Sequence, residues 1–289
     1  ARRQAEALLA ETSPGALGHE APAHIVGVTG PPGVGKSSLL SHLVKHWRSA
    51  ERSVAVLAVD PSSRRSGGSL LGDRARIETD PKDRHVFIRS TAAGTRLGGL
   101  APATRAASEA LAAAFDVVVI ETVGVGQSET EVADAADTVA VVLQPASGDV
   151  LQFLKAGIME VPDVLVLTKT DLGAPATRAM SDLQAALLAL GATGTEVCAV
   201  SSVPPPQGIT ALAQALETHR ARIDLPQRRQ RARRYHALEN FTVERGERGL
   251  RALGGRLKAE RWLETQDPAL DVHSLARALT DRADSQESV

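Results

Sequence analysis

Gly30-Pro31-Pro32-Gly33-Val34-Gly35-Lys36-Ser37 follows the apolar run Ile25-Val26-Gly27-Val28 and runs into a helix-forming stretch that opens at Lys36. The octet matches G-x-x-x-x-G-K-[ST], and a strand before it and a helix after it are the flanks that motif needs. Its glycines let backbone N–H groups turn inward at φ values a side chain would forbid, and the helix N-terminus adds partial positive charge. Lys36 is placed to reach the β- and γ-phosphates of a nucleotide, and the Ser37 hydroxyl to ligate Mg²⁺. Residues Gly30 to Ser38 are therefore read as a phosphate cradle, with Lys36 also a catalytic candidate; the plainer alternative is a glycine-rich turn before a helix.

Outward from the octet, short Val/Ile/Leu-rich runs recur at 25–29, 54–59, 85–89, 117–120, 139–143, 164–167 and 196–200. Helical stretches are expected at 36–49, 101–114, 149–158, 176–190 and 207–222. Near-continuous apolar strands alternating with helices predict an α/β fold, a doubly wound and mostly parallel sheet covered on both faces. Ligands then bind beyond the carboxyl ends of the strands. After Asp224-Leu225-Pro226 the character changes to an Arg-rich segment, followed by Leu250, Leu253 and Leu257, then Val272, Leu275 and Leu279, at helical spacing. We divide the chain into an N-terminal helical extension (1–22), a nucleotide domain (23–224) and a C-terminal helical arm (225–289).

The chain has 289 residues, 33 basic against 34 acidic, and 2% aromatics, so its core must be mostly Ala, Val and Leu. A net charge of −1 gives no global field for nucleic acid or an anionic membrane. Neither a signal peptide nor a bilayer-spanning run is visible, and the single cysteine, Cys198, excludes a disulfide framework. A cytoplasmic protein is expected, with an N-terminus that opens on Ala and reads as trimmed.

Thr168-Lys169-Thr170-Asp171 ends the apolar run 164–167. A carboxylate at Asp171 can accept from both N1–H and the exocyclic amine of guanine, a donor pair adenine lacks. GTPases usually carry Asn-Lys-x-Asp there, and Thr168 keeps a hydroxyl while losing the amide. Ser201-Ser202-Val203 follows the last strand, where backbone N–H groups can meet guanine O6. Asp60 ends the second strand, and the polar run 64–73, ending in Asp73, has the character of a switch loop. Glu121 ends the fourth strand where a carboxylate approaches Mg²⁺, and Gly124 can offer its N–H to the γ-phosphate. For Asp60, Asp73 and Glu121 the plainer alternative is a solvated strand-end or loop acid.

His42 and His46 are spaced i, i+4 but lack a third ligand, so they are read as exposed helix histidines. Arg228, Arg229, Arg231, Arg233 and Arg234 are read as a solvated helix face or linker, with docking onto an acidic partner as the alternative. These residues add up to a Mg²⁺-dependent GTPase that converts GTP to GDP and phosphate. A metallocentre-assembly GTPase is disfavoured by the want of a His-rich tract or Cys pair, and a P-loop kinase by Asp171 and Ser201-Ser202.

Several motifs resemble one family, MeaB/ArgK. They are the octet, Asp60-Pro61-Ser62-Ser63 with 66–73, Gly98-Gly99-Leu100, Glu121-Thr122-Val123-Gly124-Val125-Gly126-Gln127-Ser128-Glu129, and Gly148-Asp149-Val150-Leu151-Gln152. The resemblance spans about residues 25–285. It implies a G protein that chaperones an adenosylcobalamin-dependent acyl-CoA mutase, typically methylmalonyl-CoA mutase, gating cofactor loading. It also implies Asp60, Asp73 and Glu121 as Mg²⁺-region acids, switch segments at 60–76, 121–134 and 144–155, and a homodimer built on the C-terminal helices, with Leu250, Leu253 and Leu257, whose spacing alone reads more often as the chain's own core, taken as the seam. Three departures stand out: Thr168 for Asn, Ala156 where a second lysine usually follows Lys155, and a shortened N-terminal extension.

Overall fold

The computed structural model describes residues 2–60, 77–92, 100–122, 132–145, 162–192 and 194–287. The helix expected at 149–158 lies outside them. By contacts the chain separates into two compact units, Pro22–Ile223 and a second unit made of Ala1–Ala21 together with Asp224–Val289.

The first unit is a seven-stranded sheet of β1 (His24–Thr29), β2 (Val54–Asp60), β3 (Val86–Ala92), β4 (Val117–Thr122), β5 (Thr138–Leu143), β6 (Val164–Leu167) and β7 (Glu196–Ala199). The strands lie in the order β3-β2-β4-β1-β5-β6-β7, and every pairing is parallel. Parallel strands need crossovers, and helices α3 (Lys36–Ser49), α4 (Pro102–Ala112), α5 (Ala174–Ala189) and α6 (Ile209–Arg222) lie between them in the chain. Alternate residues such as Val26, Val56, Val119, Val142 and Val166 share one core with Leu39, Leu43 and Trp47 of α3 and Leu212 and Leu216 of α6. The intervening set, including Ile120, Val141 and Leu165, is fully buried too, with α4 packed on β4 and β2 and α5 on β7 and β6. Burial on both faces is why the inner strands β1, β2, β4, β5 and β6 read as unbroken apolar runs.

The amino-terminal edge of the sheet is tied to α6 by a buried polar chain. His24, fully buried at the start of β1, sets Nε2 2.8 Å from Thr138 Oγ1, and the same hydroxyl is 2.8 Å from His219 Nδ1. His219 Nε2 lies 3.0 Å from Asp163 Oδ1, while His24 Nδ1 faces Glu217 Oε1 at 3.5 Å. Burial holds the His24 imidazole below its ordinary value, against the opposing pull of Glu217.

The second unit comprises α1 (Arg2–Glu11), α2 (Pro14–Leu17), α7 (Leu225–Ala252), α8 (Arg256–Glu264) and α9 (Val272–Glu287). Asp224 caps α7 by accepting from the Gln227 N–H at 3.0 Å. Two sequence readings are corrected here. Leu250 and Leu253 are not an open seam: with Leu275 and Leu279 they pack with Ala237, Leu238, Phe241 and Leu263 in the unit's own core, with Val272 against it, and of that series Leu257 alone is well exposed, at 72%. Nor is the arginine cluster a solvated face throughout. Arg229 and Arg233 are buried; Arg233 donates to both Glu20 carboxylate oxygens at 3.0 and 2.7 Å and to Pro268 O at 3.0 Å, and Arg229 donates to Ala21 O at 2.6 Å. A planar guanidinium suits such bidentate, buried pairing.

The Glu217 carboxyl is held at about 2, first by its hydrogen bond with His24 and then by Arg52. A value below the ordinary 4.5 means the stabilisation is complete above about pH 4.5 and is lost as pH falls towards about 2. Glu217→Gln should therefore lower stability at neutral pH, with the gap from the parent closing as pH drops through that window. Urea unfolding from pH 7 downwards measures it; a gap that stays constant would refute the pairing.

Candidate functional site

β1 runs between β4 and β5, and the described candidate residues gather at the carboxyl ends of these strands and of β6 and β7. Gly30 leaves β1 at φ 144°, so close to β5 that a Cβ would stand 2.1 Å from Val142 O. Gly33 and Gly35 follow at φ 79° and 95°, the latter as the N-cap of α3. Val34 is fully buried and anchors the turn, while Pro32, Gly33 and Ser38 are exposed. Pro31 and Gly35 are half-buried.

Lys36 is buried, and its Nζ donates to Gly30 O at 2.7 Å and Pro31 O at 2.9 Å. One residue on, the Ser37 hydroxyl donates to Glu121 Oε1 at 3.2 Å. Glu121 is 7% exposed at the end of β4, so the sheet carries a carboxylate to the first turn of α3. The two oxygen donors that meet there, a hydroxyl and a carboxylate, are the types Mg²⁺ takes.

Across the cradle, β6 and β7 deliver the base-reading candidates. Thr168 is 3% exposed and turned inward, its Oγ1 2.6 Å from Val34 O and 2.9 Å from Leu143 O. Lys169 adopts φ 53° and donates to Gly33 O at 3.0 Å and to Gln144 Oε1 at 2.5 Å. Asp171 Oδ1 accepts from Ser201 Oγ at 2.7 Å, and the same Ser201 oxygen accepts from the Val203 N–H at 3.2 Å. Ser201 also pairs both ways with the Gln207 backbone, at 3.1 and 2.9 Å, which closes the loop around Ser202. These bonds hold Thr168, Lys169, Asp171, Ser201, Ser202 and Val203 in one cluster beside the cradle.

Asp73 and Gly124 lie outside the described residues, and of Asp60 only the backbone at the end of β2 is described. His42 and His46 are half-buried, and His42 Nε2 sits 3.3 Å from Ser202 O. Among the described residues no group of three or more His, Cys, Asp or Glu side chains could hold a metal ion. Burial pushes the Cys198 thiol up to about 11, which leaves it unreactive. No helix among the described residues is long and apolar enough to cross a membrane. Sequence reasoning missed Gln144 as a partner of Lys169; its signal was a polar residue directly after the apolar run of β5. It also missed His42 behind the Ser202 loop, which no local pattern announces.

Residues 1–250 match the family described as methylmalonyl Co-A mutase-associated GTPase MeaB. The chain is 51% identical over 157 residues to a Pyrococcus abyssi protein provisionally named a GTPase, a match covering 54% of this chain and 48% of the relative. It is 44% identical over 168 residues to the mouse mitochondrial methylmalonic aciduria type A homolog, covering 56% of this chain and 40% of that one. The chain thus spans about half or less of the length of the curated relatives it matches. Among solved structures it is similar to an LAO/AO transport system kinase, with TM-score 0.62, 27% identity, and 96% and 85% of the two chains covered. A likeness to nickel-bound HypB of Helicobacter pylori, at TM-score 0.54, 18% identity and 75% and 95% coverage, speaks to the fold alone.

The cradle's geometry separates two of its glycines. Gly30→Ala would drive a methyl into the Val142 carbonyl and should destabilise by about 1–3 kcal/mol or more, as overpacking does. Nothing stands near a Cβ at Gly33, so Gly33→Ala should cost only the left-handed backbone penalty, about 1–2 kcal/mol. Denaturant titrations of both variants decide it, and the reverse ranking would contradict the close approach at Gly30.

Proposed function

Because the chain belongs to the MeaB family of methylmalonyl-CoA mutase-associated GTPases, we propose that it is a Mg²⁺-dependent GTP hydrolase serving an adenosylcobalamin-dependent acyl-CoA mutase. The observation that carries the nucleotide half is the meeting of Asp171 and Ser201, 2.7 Å apart, beside a phosphate cradle to which Lys169 is bonded through Gly33. A carboxylate held there would accept from guanine N1–H and the 2-amine, and of the Ser202–Val203 backbone the Ser202 N–H is the donor we assign to O6, since the Val203 N–H is bonded to Ser201 Oγ.

In this reading Gly30 to Ser38 wrap the phosphates with inward N–H groups. Lys36, fastened to two loop carbonyls, adds a fixed positive charge against the β- and γ-phosphates. Ser37 and Glu121 would hold Mg²⁺, joined by Asp60 and Asp73 as the family resemblance implies, and the bound ion would neutralise charge on the β- and γ-oxygens. Water attacks the γ-phosphorus in line as the bond from that phosphorus to the β,γ-bridging oxygen breaks and GDP leaves, the water's proton passing to the released phosphate, while the Gly124 N–H would stabilise the γ-oxygens. Catalysis by these residues is charge stabilisation in a prearranged site, with no covalent chemistry asked of the protein.

The client half rests on the family's own description and on the name of the mouse relative. We place the action in the cytoplasm, whereas the mouse relative is named mitochondrial. Homodimerisation through the helical unit is part of the same proposal. With Leu250, Leu253 and Leu275 already used in the unit's core, the well-exposed large apolar side chains left for a seam among the described residues are Leu8, Tyr235, Val243 and Leu257, exposed by 49%, 43%, 60% and 72%.

Asp171→Asn should cost about 2–4 kcal/mol in GDP binding and shift preference towards xanthine, whose 2-oxo group meets the new amide donor. Calorimetric titration with GDP and XDP checks this, and unchanged GDP affinity would sink the base assignment. For the client, GTP turnover should rise by orders of magnitude as adenosylcobalamin-dependent mutase is titrated in, as when a partner completes a switch. Phosphate release that ignores every such mutase supplied, from a protein monomeric by light scattering, would leave a GTPase of another client.

A further inference from the structure

We propose that Thr168 reads no atom of the base, so that nucleotide choice in this chain rests on the Watson–Crick edge alone and the purine N7 goes unread. The inference rests on the guanine reading above and deepens it.

A threonine hydroxyl has one hydrogen to donate. Both partners of Thr168 Oγ1, Val34 O at 2.6 Å and Leu143 O at 2.9 Å, are carbonyls, which only accept, so that hydrogen is committed to them. The side chain is 3% exposed, with its oxygen facing into the protein between the cradle and the end of β5. Purine N7 is an acceptor and needs a donor. An asparagine amide at this position would have two N–H bonds, one for the Val34 carbonyl and a second to spare for the base. Threonine keeps the first and has no second. Lys169, the neighbouring donor, is drawn away by Gly33 O and Gln144 Oε1.

Among the described residues, what remains to tell bases apart is Asp171, held by Ser201, with the Ser202 backbone N–H. Thr168 is therefore a positioning residue: it staples the base-reading segment to the phosphate cradle through Val34.

The test uses the full chain and four nucleotides, GDP, 7-deaza-GDP, ADP and IDP, titrated into the parent, Thr168→Ser and Thr168→Asn. The parent and Thr168→Ser should bind GDP and 7-deaza-GDP within about twofold of each other, while Thr168→Asn should favour GDP by about fivefold or more, the range of one added neutral hydrogen bond. IDP, which lacks the 2-amine, should bind far more weakly than GDP in all three. A general loosening of the fold would weaken GDP and 7-deaza-GDP together and leave their ratio unmoved. A parent that loses more than about fivefold on 7-deaza substitution overturns the proposal. So does a folded Thr168→Asn protein that treats the two alike, since the position would then not face N7. ADP bound as tightly as GDP is a different failure: it removes the guanine reading itself, and the proposal with it.

Discussion

The contact between Gly30 and the Val142 carbonyl is the constraint on which the rest of the site depends. A backbone can approach another that closely only where no Cβ intervenes. Because β1 leaves the sheet pressed against β5, the turn that follows brings the Val34 carbonyl within reach of Thr168, and α3 begins where Ser37 meets Glu121. Move the turn outward by one methyl and three bonds, at Thr168, Lys169 and Ser37, lose their geometry together. The cradle is thus a rigid corner of the sheet, with the mobility of its side chains spent in advance.

The five inner strands, β2, β4, β1, β5 and β6, are buried on both faces, and at the carboxyl ends polar groups appear together: Glu121 and Thr122 on β4, Gln144 after β5, Thr168 after β6, and Ser201 after the edge strand β7. Parallel pairing puts all these ends on the same edge, so residues as far as 171 positions apart, Gly30 and Ser201, come to share one locale. The opposite edge has its own polar chain, His24–Thr138–His219, but there the groups satisfy one another and clamp α6 to the sheet.

How much of this was legible depended on whether a residue's partner was local. The octet, the seven strands and the crossover helices outside 149–158 declare themselves because apolar runs and glycine spacing are short-range signals, and the sheet follows from their alternation. Thr168 read as a deficiency, an amide missing, because nothing in the sequence reveals that a hydroxyl would find two carbonyls 134 and 25 residues away. Arg229 and Arg233 read as a charged surface for the same reason; the carboxylate that buries Arg233 is 213 residues upstream. The leucines of α7 and α9 have the spacing of a seam, and spacing cannot say whether the covering face belongs to the same chain.

That pairing of Glu20 with Arg233 makes the helical unit discontinuous, with the whole of Pro22–Ile223 inserted between its two pieces. On a ribosome, which releases the chain from its amino end, residues 1–21 emerge before the segments they pack on and must wait until α7 and the Pro268 turn have been made. The sheet unit in between has all its strands in hand well before then. Its folding also draws together the two ends of the long loop that Glu20 and Arg233 must close, so the entropy of that closure is settled largely before the arginines arrive. Synthesis therefore imposes an order of events, inner unit first and outer unit last, and a stall or cleavage after residue 223 would leave a formed sheet unit with α1 and Glu20 unpaired.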